Sequence, residues 1–440
     1  MKRTLFLSLV LGAAMLPLQA VEWNSSTIGN QSVAEDVTVN GDVNIGDITF
    51  TDDSTVSGTG SITGSGNLVV DSGTVVFDGV SRPNSTGNIT VAAGATLEIT
   101  DGTRLLTLTH NQDSVVTVNG TLRVANLGYG GSLGSLRDNI GAEWGSDSFI
   151  LNGATSAATG PRIEITESGS ATIGARLNGW GSYFTFAVAA GKDFSWNASD
   201  NGNVLAYESA GSVLVLEAGE DATFVLGKDI GTGLTIQKTG TGTLVLNSTI
   251  NLDGGRMLSI VDGTVKFGDN AHIASAGSGF NVYGNATMDL EGKTGLAGQA
   301  VTVYGSVVNA QNNAMQLRLE STGTFSISED ATSGSSGSLM VTEGATVDLD
   351  GHVFYNTIDI SNGGSVLNAQ NHQGLLILGM NEGVTEVDSD MLSTCGGGLG
   401  SNGSIEASIS EDFDSVSPEV DLAKGRMYAG YSVSIIGSGV

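Results

Sequence analysis

The chain has 440 residues, of which 65 are glycine, 4 are proline and 1 is cysteine, and it carries a formal charge of −29. The lone Cys395 excludes an internal disulfide, and so large an excess of acid excludes nucleic acid as a partner and is repelled by anionic lipid. The acids are scattered about one per strand or corner and read as a solvated outer surface, while the scarcity of proline leaves long backbone hydrogen-bond ladders uninterrupted.

Residues 1–20 read as a secretory signal peptide. Lys2 and Arg3 supply the positive start, Leu5 to Leu16 the apolar run, and Leu18-Gln19-Ala20 the small-residue cleavage site. The apolar run is too short to span a bilayer comfortably, and no later segment approaches that length, so the mature chain is expected to be exported whole, without direct membrane insertion.

Residues 21–125 form a first run of short strands. Val37-Thr38-Val39, Asn67-Leu68-Val69-Val70, Thr74-Val75-Val76-Phe77 and Ser114-Val115-Val116-Thr117-Val118 are separated by glycine-containing turns. Glycine supplies the positive φ of a sharp corner. In Gly94-Ala95-Thr96-Leu97-Glu98-Ile99 the apolar residues recur at every second position, which puts Leu97 and Ile99 on one face.

Between residues 126 and 200 the rhythm loosens. Trp144, Trp180 and Trp196 lie here, with Tyr129, Tyr183, Phe184, Phe186 and Phe194. The expectation is a set of long excursions from the main fold, or a small subdomain packed against it. Exposed Trp and Tyr stack on sugar rings, so Trp144, Trp180, Tyr183 and Trp196 are candidate glycan-binding residues, with Asn178–Tyr183 as a platform. The alternative is that these rings form a satellite core on the flank.

Residues 201–405 are the most regular. Gly242, Gly263, Gly284 and Gly305 follow one another at steps of 21. Ala286-Thr287-Met288-Asp289-Leu290-Glu291-Gly292 returns as Ala345-Thr346-Val347-Asp348-Leu349-Asp350-Gly351, and Gly305–Asn312 returns as Gly364–Asn371, both at an offset of 59. A constant offset through diverged sequence means that length is being kept, as stacking of each unit on its neighbour requires. Three turns of about twenty residues make the unit, too few for a strand, a crossover helix and a return strand, which need about thirty. The remaining geometry is an all-β, single-stranded parallel β-helix, a solenoid whose short strands lie in parallel on the turn below. Ordering twenty residues costs on the order of 20–40 kcal/mol, and four to six inward apolar side chains return about 1.5–3 kcal/mol each, so a turn is stable only within a pile. Asn309 and Asn368 are read either as polar stacks inside bends or as solvated loop amides. Residues 406–440 lose the glycine beat and are expected to form a cap or tail, since an open end exposes strand edges.

One stretch carries a family signature. Lys238, Gly240, Gly242, Thr243, Leu244 and Leu246 within Ile236–Leu246, followed by Gly254-Gly255 and by Asp262-Gly263-Thr264-Val265-Lys266-Phe267-Gly268, resemble the autotransporter-associated β-strand repeat. The resemblance covers some thirty residues; Asn251–Gly255 stands where the family has an N-T-Y-T-G corner. It implies a right-handed coil, a Gram-negative-type envelope, and a cell-surface or secreted destination shared with adhesins and structural stalks. An autotransporter also ends in a membrane β-barrel of a dozen strands; the sequence ending at Tyr431–Ile436 leaves no room for one.

Parallel β-helices also carry polysaccharide lyases and hydrolases, which need convergent acids. Asp52-Asp53 and Glu411-Asp412 are adjacent, and neighbours on a strand point to opposite faces. Asp289 and Asp348 are three turns apart, about 14 Å at ~4.8 Å per turn. His110, His272, His352 and His372 lack metal-ligand spacing, although His352 and His372 are one turn apart and are placed to stack on one face. Gly397–Asn402 is similar to a glycine–aspartate calcium repeat but has Asn where Asp is needed. No catalytic, cofactor or metal site is expected. The sequence therefore reads as an exported, non-catalytic, monomeric β-solenoid, a surface structural or adhesin-like module whose partners are host or cell-surface glycans or proteins. The alternative is a carbohydrate-active β-helix that binds or cleaves polysaccharide.

Overall fold

The computed structural model describes residues 20–24, 27–82, 87–100, 116–124, 149–152, 154–171, 175–178, 181–197, 205–207, 211–227, 230, 234–250, 257–273, 279–295, 297–332, 337–362, 364–369, 371–374, 376–378, 399–401, 406–407 and 434–435. Residues 1–19 of the predicted signal peptide and most of the predicted cap lie outside them. Among the described residues there is no helix, and the paired strands run parallel from Val21 to Leu399–Ser401. The chain is a β-solenoid, as the repeat predicts.

Each turn feeds up to three ladders. The first contains Val21–Trp23, Val37–Val39, Ser54–Gly58, Thr74–Asp78, Thr96–Ile99, Thr121–Val124, Arg162–Ile165, Tyr183–Val188, Ser212–Ala218 and Leu234–Thr239, and continues through the start of Leu258–Phe267 and Phe280–Asp289. The second begins at Gly169–Ala171 and runs through Asp193–Asn197, Thr223–Gly227 and Thr243–Leu246 to the end of those two ten-residue strands. The third runs from Gln31–Val33 to Leu205–Tyr207.

Alternation along each strand becomes columns along the axis. Val37, Val56, Phe77, Ile99, Val124, Ile165, Val188 and Ala218 are successive partners in the first ladder, and each is buried. A residue is buried because the same position one turn away is apolar, which is why neither turn folds alone. The spacing between layers is 21 residues from Val56 to Phe77 and 22 from Phe77 to Ile99. The 59-residue repeat is three layers: Thr287, Ser306, Thr324 and Thr346 are consecutive partners in the second ladder.

The described strands of residues 126–200 belong to the solenoid itself. Six strands, from Phe149–Asn152 to Asp193–Asn197, continue the first and third ladders in register and start the second. The rhythm loosens because two turns are long: 41 residues separate Val124 from Ile165, and 30 separate Val188 from Ala218. The added length falls between strands, so the register of the strands is preserved.

Candidate functional site

The four residues predicted to bind glycan do not form one platform among the described residues. Trp196 lies inward on Asp193–Asn197 and is 2% exposed. Its ring packs on Phe186 at 4.4 Å and on Phe224 at 6.5 Å. A ring enclosed in this way offers no face to a sugar, so Trp196 is core. Phe184, Phe186 and Phe194 are buried with it in the solenoid's own interior, not in a satellite cluster on its flank. Tyr183 is half-buried opposite Val213, its backbone N–H donating to the Ala154 carbonyl at 2.8 Å. Trp144 and Trp180 lie outside the described residues.

The acids are engaged one by one. Asp53 accepts the Thr74 N–H from the turn above at 2.6 Å, and Asp52 accepts the Asp53 N–H at 2.9 Å; Glu411 and Asp412 lie outside the described residues. The Asn309 amide donates to Asp289 at 2.7 Å, and Asn368 donates to Asp348 at 2.9 Å. Asn309, partly buried, thus joins a polar stack in its bend, whereas Asn368 makes the same bond at the exposed surface. The bends are copies of each other: Asn309 and Asn368 sit at φ 51° and 52°, and Glu291 and Asp350 at φ 47° and 46°. His352 does not stack on His372. Phe354 is the residue opposite His372, which is buried, while His352 lies 3.4 Å from Asp330. His272 is exposed and pairs with Thr249; His110 lies outside the described residues. Of Gly397–Asn402, Leu399–Ser401 forms a strand on Leu376–Leu378. Among the described residues no group of three His, Cys, Asp or Glu is placed to hold a metal.

Polar side chains instead tie layer to layer. Asn30, Asp47 and Asn67 each accept the backbone N–H of the equivalent residue one turn on, Asp47, Asn67 and Asn88 respectively, at 2.8–3.1 Å. Arg162 reaches across a layer to clamp Glu217 with two bonds of 2.8 and 2.7 Å, and also contacts Glu164, which pairs with Arg123. The Arg162 hydrogen bonds hold the Glu217 carboxyl below its ordinary value despite partial burial. The most unusual tie is Lys238. It takes an inward position between Leu216 and Ile260 and is fully buried. Its ammonium donates to the carbonyls of Thr239 at 2.9 Å, Gly240 at 2.6 Å and Asp262 at 3.0 Å, which uses all three of its protons. Burial pushes its pKa down to about 8, with Asp262 and Glu217 pulling it back up. A cation here bundles corner carbonyls of two adjacent turns, and Gly263 leaves the room it needs: a Cβ there would lie 2.8 Å from the nitrogen.

The outer side of the first ladder divides into two zones. Its early layers carry Glu98, Arg123, Glu164 and Glu217. The next four carry Gln237, Ser259, Asn281 and Thr302 as consecutive partners, none of them charged. Beside Asn281 and Thr302, Tyr283 and Tyr304 project from successive layers, 42% and 39% exposed. Their ring centroids are 6.4 Å apart with 23° between planes. Sequence reasoning missed this pair although the signal was present: each tyrosine precedes one of the glycines, Gly284 and Gly305, that mark the 21-residue step. Arg318, paired with Glu320, closes the zone.

No family model, curated protein or solved structure matches the chain.

Proposed function

We propose that this chain is an exported, non-catalytic solenoid that works as a surface structural or adhesin-like module of the autotransporter-passenger kind on a Gram-negative-type cell. The observation that carries the reading is the use made of the polar groups. Carboxylates, amides and cations that would otherwise be available for chemistry are spent on other layers: Asp47 on Asn67, Asp289 on Asn309 and Lys238 on Asp262 one layer away, and Arg162 on Glu217 two layers away. Bonds directed along the axis stiffen a rod and do not converge on a substrate. Export is supported by the sequence of residues 1–20, with Lys2 and Arg3, the apolar run Leu5 to Leu16 and the small-residue site ending at Ala20. In this reading the rod acts as a single chain, holding its outer faces and corner loops away from the cell toward host or cell-surface glycans or proteins.

Protease shaving of intact cells, with fractionation, tests the location. The expected result is a surface pool of protein lacking residues 1–20. Retention of full-length protein in the cytoplasm would overturn the reading. Incubation with polysaccharides and assay for reducing ends tests the absence of catalysis; new reducing ends would replace the structural role with a carbohydrate-cleaving one.

A further inference from the structure

We infer that the outer face of the first ladder between Gln237 and Tyr304 is a binding strip for a neutral glycan, with Tyr283 and Tyr304 as its stacking anchors. The inference rests on the surface-module reading and names its partner.

Three observations carry it. The first is exposure without structural need. Most large apolar side chains described in the regular region are buried in the axial columns; of those left outside, which include Met340, Tyr355 and Leu367, Tyr283 and Tyr304 are the two whose rings stack on each other, at about two-fifths exposure. Large rings left in water at adjacent layers offer apolar area with a hydroxyl at the tip, the combination that stacks on a sugar ring and also bonds its hydroxyls. The second is charge. In a chain of formal charge −29, the outward partners Gln237, Ser259, Asn281 and Thr302 are all neutral groups that both donate and accept. The nearest corner acid, Asp262, turns back on its own corner, accepting the Gly263 N–H at 2.8 Å. Among the described residues such a surface gives an anionic polymer no cation to pair with, since Arg318 at its upper edge is taken by Glu320, and the acids elsewhere repel it. The third is repeat geometry. The four layers present hydroxyl and amide groups at ~4.8 Å intervals over about 14 Å. An extended chain of similar rings can lie along the axis and meet one layer after another, in the way that several weak contacts add.

The test is a panel of neutral and acidic oligosaccharides bound to wild-type protein, Y283A/Y304A and Y283F/Y304F. Neutral members should bind wild type, with affinity unchanged between low and high salt. Removing both rings should weaken that binding by roughly tenfold or more, while Y283F/Y304F retains most of it; the rings are exposed, so circular dichroism of all three proteins should coincide. Binding of neutral glycans that survives in Y283A/Y304A, binding confined to acidic glycans and lost in salt, or no binding by wild type would each overturn the strip. None of these results bears on surface location, so the strip can fail while the export reading stands.

Discussion

Lys238 allows the sharpest numerical test of how this solenoid is held together. Replacing it with methionine keeps the stem length and the apolar contacts with Leu216 and Ile260 but removes the donor to three carbonyls. Hydrogen bonds from a charged donor contribute about 1.5–3 kcal/mol each, so the three are worth about 5–9 kcal/mol together. Against this stands the cost of burying the charge. Burial, partly offset by Asp262 and Glu217, leaves the pKa lowered from 10.5 to about 8, a net penalty of about 3 kcal/mol at about 1.4 kcal/mol per unit. The balance predicts that K238M loses about 2–6 kcal/mol of stability at pH 7. The loss should be concentrated in Leu234–Phe267, where hydrogen–deuterium exchange would report it most directly. The pH dependence has a definite sign. Between about 8 and 10.5 the unfolded chain keeps a proton that the folded chain has released. The wild type therefore gains about 3 kcal/mol relative to K238M as pH rises through that window, measured by urea denaturation at several pH values. If K238M were as stable and as protected as wild type at pH 7, the ammonium would not be tying the turns. A difference that stayed flat across the window would refute the depressed pKa.

Other perturbations separate causes that coincide in the native protein. Gly263 has φ +66°, and an added Cβ would lie 2.4 Å from the Gly240 carbonyl oxygen, whereas Gly94 has φ +81° with open space around it; G263A should cost about 3 kcal/mol or more and G94A only about 1–2 kcal/mol, read as shifts in melting temperature. Asn309→Gly preserves the positive φ but removes the bond to Asp289, for an expected loss of about 1–2 kcal/mol, and Asn309→Ala should lose roughly 1 kcal/mol more. Asn368→Gly should lose less than Asn309→Gly, because its bend copies the backbone but its bond to Asp348 is exposed where that of Asn309 is partly buried; a larger loss there would contradict this reasoning. Since Arg162 holds the Glu217 carboxyl below 4.5, that pair contributes stability present above pH 4.5 and lost as pH falls through the lowered folded value. The wild-type melting temperature should accordingly fall more steeply in acid than that of E217Q.

The layering was legible in the sequence because it is written as periodicity. The 59-residue offset, the 21-residue glycine step and the alternation of apolar residues each follow from a geometric rule, and the register pairs Leu97 with Leu122 and Leu244 with Val265 as those rules require. The middle region was harder. Inward and outward positions differ by one residue, and turns of irregular length remove the glycine marks that set the phase. Trp196 therefore reads either as a sugar platform or as part of a core on the flank, and its alignment with Leu226 in the next layer places it in the solenoid's own core.

What the sequence determined by itself is the kind of fold: local turn chemistry and period-two alternation act over a few residues and are visible in any window. What the tertiary structure decided is which side chains meet across layers. Arg162 and Glu217 are 55 residues apart and meet across the layer of Tyr183–Val188 that lies between them. Such a meeting depends on the accumulated length of every intervening turn, a quantity that no local pattern encodes.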